Sequence, residues 1–555
     1  MNSQLQSMLQ QAIQAFQGGN FDSADLILKR VLQVDSKNLP ALHIIGLIKA
    51  SQSNFREAAD YLARAARIHP NDASIQYNLA KALADSGNDK DALAHHKKAV
   101  ALSPNDPKAW LSYGKTVSNL GRYEDALVCY GNALSLKSDY AEALLNKGAT
   151  LKELKRYEEA IAFAEQALSI NPNLAEAWSN KGVALKGLKR FDEAIAHYEK
   201  ALSLKPDYHE AWTNKGATLH ELKRFDEAIA HYEKALSLKP DYHEASCNMS
   251  LSLLLQGDFE NGFPLYESRW ASEKVSEIAG KRFFGKPVWL GVEPLQGKAI
   301  LLYGEQGLGD FIQFCRYVKL VSDLGAKVIL EAPQSLAGLM GNLKGVSELV
   351  IKGEELPFFD YQCPLLSLPL AFNTNIHTIP NPSGYINLDN HPNKIMEWKA
   401  RLGLKSKPRV GLVWSGNPQH KNDHNRSLLL EDILSHLPSQ FEYISLQKEV
   451  RELDRLTLDS SPHILNFANY LNDFVDTAAL IDNLDLIISV DTSVAHLSAA
   501  LGKKTLVLLP NVPDWRWLLD REDSPWYLSV KLYRQKSIGD WSGVLDRVKL
   551  DLGGC

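Results

Sequence analysis

Residues 190–211 read RFDEAIAHYEKALSLKPDYHEA, and the same 22 residues stand unchanged at 224–245, an offset of 34. At that period a small residue recurs at Ala12, Gly46, Ala80, Gly114, Gly148, Gly182, Gly216 and Ser250. Twelve residues after each of the first seven comes Ala24, Ala58, Ala92, Ala126, Ala160, Ala194 or Ala228, and Pro70, Pro104, Pro172, Pro206 and Pro240 close individual units. Small side chains at fixed positions let two antiparallel helices approach closely. A proline, lacking a backbone N–H, ends the second helix. The pattern predicts an all-α solenoid over residues 1–270, with a decayed eighth unit at Gly262 as its C-terminal cap.

The array resembles the tetratricopeptide repeat. Such a stack buries a continuous ribbon between repeats and leaves a concave groove, the usual seat of an extended peptide. Two residues before the small position stand Asn78, Asn146, Asn180, Asn214 and Asn248, interrupted by Ser112. An amide both donates and accepts, so a ladder of asparagines can grip a peptide backbone without reading its side chains. Asparagine is also simply common at this consensus position, and both readings stand. A similar ladder is known in the repeat domain of protein O-GlcNAc transferases; that resemblance implies an acceptor protein or peptide as partner.

After about residue 280 the period disappears, and Gly/Pro-bounded apolar runs alternate with helical stretches as in βαβ units. The expected fold is therefore a tetratricopeptide solenoid followed by an α/β region of two Rossmann-like units facing a cleft. The boundaries read as 271–385 for the first unit, 386–407 for a connector and 408–555 for the second. The first unit has a strand at 299–303, a glycine turn at 304–309, a helix from about 310 and a strand at 327–331. The second has strands in Arg409-VGLVWSG, YISLQ (443–447), LDLIISV (484–490) and TLVLLP (505–510). Ligands of open α/β sheets bind at the carboxyl ends of such strands.

Three segments fall at those ends. The first is Gly304-Glu-Gln-Gly307-Leu-Gly309-Asp310, whose glycines suit close backbone approach to a phosphate. Glu331 follows about where a dinucleotide-binding domain keeps its ribose carboxylate. The GxxGxG spacing nevertheless reverses the dinucleotide fingerprint, so a nicotinamide enzyme is only the minor alternative. The second is Asp491-Thr492-Ser493-Val-Ala-His496, ending at Gly502, a helix start with hydroxyls and an imidazole suited to a diphosphate. Its bland counterpart is a capped helix with a buried histidine. The third is Trp414-Ser-Gly-Asn417-Pro-Gln-His420-Lys421-Asn-Asp-His424-Asn425-Arg426-Ser427, a basic loop that is either solvated or built for a phosphate-bearing leaving group.

Together with DWRWL (514–518), these segments resemble the glycosyltransferase family that includes ADP-heptose:lipopolysaccharide heptosyltransferases, of the GT-B fold. The resemblance implies that Asp310 is the catalytic base, with Glu305 on the same loop as the alternative. It implies a donor site drawn from Gly307, Gly309, Lys421, Arg426, Gln447, Lys448, Asp491, Thr492, Ser493 and His496, with Asn425 a rival to Arg426. Ser493 stands where heptosyltransferases usually carry glycine, which leaves the donor nucleotide open. No metal and no cofactor is expected, the nucleotide-sugar being a substrate. The implied activity is transfer of a sugar to a protein acceptor; the rival is a non-catalytic scaffold with a degenerate, nucleotide-binding domain.

Bulk composition agrees. The 555 residues are 45% hydrophobic and 23% charged, which excludes disordered and collagen-like classes. No apolar run reaches the ~20 residues that cross a bilayer. A net charge of −5 against 61 Lys and Arg gives no drive toward nucleic acid or anionic lipid. The five cysteines lack metal or redox spacing. The opening residues lack a basic-then-apolar layout, so the expected compartment is the cytoplasm.

Overall fold

The computed structural model describes residues 3–271, 282–420 and 422–553. The chain forms two compact units, Met1–Thr218 and Leu219–Cys555. The expected boundary at 270 and this division differ: the last repeat helices belong to the second unit.

In the first unit the period becomes antiparallel helix pairs, from Ser3–Gln17 with Phe21–Val34 to Ala175–Gly187 with Phe191–Leu204. The small positions lie at the crossings. A Cβ on Gly114 would stand 2.6 Å from the Tyr130 ring, and one on Gly182 would stand 2.7 Å from the Tyr198 ring. Both tyrosines are buried, so the missing methylene is what lets each aromatic fill the pair. Between paired helices the chain passes through the left-handed region once per repeat. Gly19, Gly87 and Gly121 do so freely, whereas Ser53 (φ 60°), Lys155 (60°) and Lys189 (61°) do so against their Cβ.

The second unit starts with the last repeat helices, Phe225–Leu238, His243–Gln256 and Phe259–Tyr266, then a 3-10 turn, Glu267–Trp270. Phe259, Phe263 and Tyr266 pack their rings around Trp515, with centroids 6.3, 5.7 and 6.4 Å away. The repeat end is thereby part of the α/β core.

The first sheet has the order β3-β2-β1-β4, all parallel: β1 Ala299–Tyr303, β2 Lys327–Ala332, β3 Glu348–Ile351 and β4 Tyr361–Pro364. The second has the order β10-β11-β9-β8-β5-β6-β7, comprising β5 Arg409–Val413, β6 Glu442–Ser445, β7 Ile464–Asn466, β8 Leu486–Val490, β9 Thr505–Leu509, β10 Asp523–Ser524 and β11 Tyr527–Arg534. It is parallel except for the β10–β11 pair. Strands β5, β8 and β9 are buried along their whole length, as continuous Val/Ile/Leu runs in a covered parallel sheet should be. In register, Ile300 pairs Val328 on one side and Tyr361 on the other, and Val410 pairs Tyr443 and Leu486. Chain order reverses at β1 and at β5, so the loops after β1, β5 and β8 meet the two switch points where ligand crevices open.

Arg316, wholly buried, ties the two α/β halves. Its Nη1 donates to the Trp526 carbonyl at 2.7 Å, its Nη2 to Tyr385 Oη at 3.2 Å, and its guanidinium lies 4.6 Å from the ring centroids of both Tyr385 and Tyr527.

Candidate functional site

The loops after β1 and β8 meet through their helices, Leu308–Phe314 and Ser493–Ala500. Gly309 is the contact: a Cβ there would stand 2.9 Å from His496 Cδ2 and 3.5 Å from Ser493 Cα. The close approach that Gly309 permits is thus to an imidazole and a backbone. Gly307 caps its helix, and its N–H donates to Asp310 Oδ2 at 2.9 Å. Asp310 also ion-pairs with Arg516, a buried guanidinium that holds Asp514 at 2.7 Å. Glu305 lies deeper. It is 6% exposed, its Oε1 accepts from Arg269 at 3.1 Å, and burial pushes its carboxyl up to about 7 although Arg269 pulls the other way.

His496 is fixed on three sides. Its Nδ1 is 3.0 Å from Tyr527 Oη, its ring stacks on Trp517 at 5.1 Å and 20°, and its Nε2 stands 3.7 Å from Asp491 Oδ1. Burial raises the Asp491 carboxyl, but His496 and Arg426 outweigh it and hold the group below its ordinary value. Thr492 is the N-cap in extended backbone without a side-chain cap bond; its hydroxyl is 3.1 Å from Ser489 Oγ. Ser493 opens the helix, and Gly502 follows it at φ 75°.

The basic loop joins the same place. Arg426 Nη1 donates to the Asp491 carbonyl at 3.0 Å. Its guanidinium lies over Gly416, where a Cβ would come within 2.6 Å of Nη2. Burial and the Arg426 charge lower the His420 pKa, with Asp491 and Asp514 acting oppositely. Lys421 lies outside the described residues. Asn425 Nδ2 donates to Asn422 Oδ1 at 2.6 Å, within the loop.

Not every expected donor contact is available. The Gln447 amide is spent on the β5 loop: Nε2 donates to the Ser415 and Glu449 carbonyls at 3.0 and 3.1 Å. Lys448 Nζ donates to the Asn472 carbonyl at 3.1 Å. Glu331 is buried on β2 against Arg282, so the ribose role weighed for it has an occupant. In the repeats, Asn78, Asn146, Asn180, Asn214 and Asn248 all stand on first helices and are half-buried. Asn78 Nδ2 is 2.9 Å from His43 Nε2 in the preceding repeat, whereas Asn146 Nδ2 donates to the Glu142 carbonyl at 2.7 Å.

Arg269 and Tyr527 were missed in the sequence because their partners lie far along the chain. Arg516 and Trp517 had a signal in DWRWL. Among the described residues no helix is long and apolar enough to cross a membrane.

Residues 175–208 and 209–242 match the tetratricopeptide repeat, and residues 76–189 match the middle TPR-like domain of cilia and flagella-associated protein 70. Residues 452–517, which carry the Asp491–His496 helix start and most of DWRWL, match glycosyltransferase family 9 (heptosyltransferase). The chain is 25% identical over 328 residues to Protein FlbA of Caulobacter vibrioides, covering 53% of this chain. It spans about half (52%) of the length of that curated relative. Among solved structures, MamA from Desulfovibrio magneticus RS-1 is 25% identical, with 31% of this chain and 96% of that one covered and a TM-score of 0.28. A tetratricopeptide repeat protein from Parabacteroides merdae is 17% identical, with 45% and 100% covered and a TM-score of 0.40. Repeats and family match together support a glycosyltransferase-like function. The chain thus carries tetratricopeptide repeats and, over residues 452–517 of its C-terminal half, a segment similar to glycosyltransferase family 9 (heptosyltransferase).

Proposed function

We propose that the protein transfers a sugar from a nucleotide-sugar donor to a protein side chain recruited by the repeats. The observation that carries this reading is the uncapped start of Ser493–Ala500, flanked by His496 and by Arg426 on the Asp491 carbonyl. A helix start with free N–H groups and an adjacent guanidinium is chemistry for a diphosphate. In the transfer the acceptor oxygen bonds to the anomeric carbon, the bond from that carbon to the phosphate oxygen breaks, and the nucleoside diphosphate leaves with the electron pair. The acceptor proton passes to Asp310, the more exposed carboxylate of its loop; Glu305 is sealed against Arg269. Arg426, His496 and Lys421 meet the charge of the leaving group, which is the basis for proposing that no metal is needed. Gly307 starts the helix that carries Asp310, Gly309 lets that helix pack against His496 and Ser493, and the backbone at Gln447 and Lys448 borders the nucleoside end.

The likeness to protein O-GlcNAc transferases belongs to this proposal, as does a peptide held by Asn78, Asn146, Asn180, Asn214 and Asn248. The test is a thermal-shift and hydrolysis screen against UDP-, GDP-, ADP-, dTDP- and CMP-sugars, with His496→Ala and Arg426→Ala as controls. One donor should raise the midpoint, be slowly hydrolysed, and lose both effects in the controls. No shift from any nucleotide sugar at millimolar concentration would overturn the reading.

A further inference from the structure

We infer that Arg269, on the turn that ends the repeats, is a positioning residue for the loop after β1: it anchors Glu305 and so fixes the backbone that carries Asp310. The inference rests on the proposed role of that loop in activating the acceptor.

Arg269 is 0% exposed, and four bonds surround it. Nη2 donates to Glu305 Oε1 at 3.1 Å and to Ser367 Oγ at 2.7 Å; Nη1 donates to Glu267 Oε1 at 2.6 Å and to the Tyr266 carbonyl at 3.1 Å. Ser367 Oγ in turn donates to Glu267 Oε1 at 2.9 Å. The neighbouring loop residue is held from the same turn, because Gln306 Nε2 donates to Tyr266 Oη at 2.9 Å. Two consecutive residues of the glycine loop are therefore tethered to the end of the repeat array, just before Gly307 starts the helix that carries Asp310. Apolar packing would serve stability here as well as a buried ion pair does; what the pair adds is a fixed position for the loop.

The charges in the pocket do not balance. One guanidinium faces two carboxylates, Glu267 and Glu305, with Asp310 further along the loop. The other titratable groups facing Glu305 are Tyr303 on β1 and Cys363 on β4, while Tyr266 on the last repeat helix faces Arg269. Glu305 Oε2 has no partner among the described residues. Burial pushes the Glu305 carboxyl up to about 7, and Arg269 is the main force holding it down. Removing Arg269 leaves Glu305 buried without its cation and releases the anchor, so the backbone that carries Asp310 loses its position.

The experiment compares Arg269→Met, Arg269→Lys, Glu305→Gln and the Arg269→Met/Glu305→Gln double variant of the full chain. The substrate is the donor found in the hydrolysis screen, with kcat and KM read at pH 7. Arg269→Met should lower kcat at pH 7 at least tenfold and leave donor KM within threefold. Arg269→Lys, which keeps the charge without the fork, should recover part of the lost kcat. The double variant should be no slower than the slower single one. Wild-type kcat in folded Arg269→Met overturns the inference. If Arg269→Met does not fold, Arg269→Lys decides, and a wild-type kcat overturns it. If the wild type turns over no donor, the proposed function fails by itself, and amide exchange then decides the inference. Arg269→Lys should speed exchange across 304–309 at least tenfold relative to β2; unchanged exchange refutes the anchor.

Discussion

Gly309→Ala is a sharp perturbation of the site. The new Cβ would stand 2.9 Å from His496 Cδ2, where carbon atoms settle near 3.5–4.0 Å, so the neighbours must retreat by roughly 0.6 Å or more. The imidazole has nowhere to go: Tyr527 Oη bonds it at 3.0 Å, Trp517 stacks on it at 5.1 Å, and it is 4% exposed. The helices Leu308–Phe314 and Ser493–Ala500 must therefore move apart, carrying Asp310 and Ser493 with them. Overpacking of this kind costs about 2 kcal/mol, and in a unit of this size that lowers Tm by about 4 °C. Displacement of a reacting group by a large fraction of an ångström costs far more in rate, about 10- to 100-fold. Scanning calorimetry and donor turnover on the same preparation separate the two. Gly307→Ala is the control: its Cβ would meet only Asp310 Oδ2, at 3.2 Å, and its φ of −71° suits any residue. Wild-type Tm and turnover in Gly309→Ala, or equal losses in both variants, would refute the packing argument.

Asp310→Asn keeps an acceptor for the Gly307 N–H but removes the carboxylate from Arg516; kcat should fall about 100-fold while the thermal shift given by the donor persists. His96 is buried with both ring nitrogens unpartnered among the described residues, and burial followed by neighbouring His95 lowers its pKa from 6.5 to about 4. The unfolded chain then takes up a proton near pH 6.5 that the folded chain refuses until about 4, so stability falls with falling pH across that window. Urea melts should lose about 2 kcal/mol between pH 7 and 5, and His96→Phe should shrink that slope, leaving the parts due to His43 and His95, whose pKa values are also lowered. Lys155→Gly, at φ 60°, should stabilise the repeats by about 1 kcal/mol in urea melts, and Gly121→Lys should cost a similar amount.

The repeats and the central strands were legible in the sequence because each depends on local pattern. β1, β2, β5, β6, β8 and β9 were expected as apolar runs, and the covered sheets explain those runs. β3, β4 and β7 are only three or four residues long, and β11 mixes polar and apolar residues, YLSVKLYR, so no period marks them. The helix expected from about 310 starts at Leu308, because the Asp310 carboxylate caps Gly307 and draws Gly309 into the first turn. The seam between the units was illegible for a clear reason. The duplicated helix buries Ile195 and Leu202 in one copy, Phe191–Leu204, and Phe225 in the other, Phe225–Leu238, so identical residues take different cores from different neighbours. The site segments were legible as segments. What could not be read was which side chains they spend on one another: Gln447 on Ser415, Asp310 on Arg516, and Glu305 on Arg269, 36 residues away.

The measurement that bears most directly on the account is a crystal structure of the full chain with the nucleotide diphosphate that gives the largest thermal shift. Its phosphates should lie on the first-turn N–H groups of Ser493–Ala500, within hydrogen-bond reach of Arg426, on the same side as Asp310. A nucleotide bound anywhere else in the chain, with this helix start left to solvent, would contradict it.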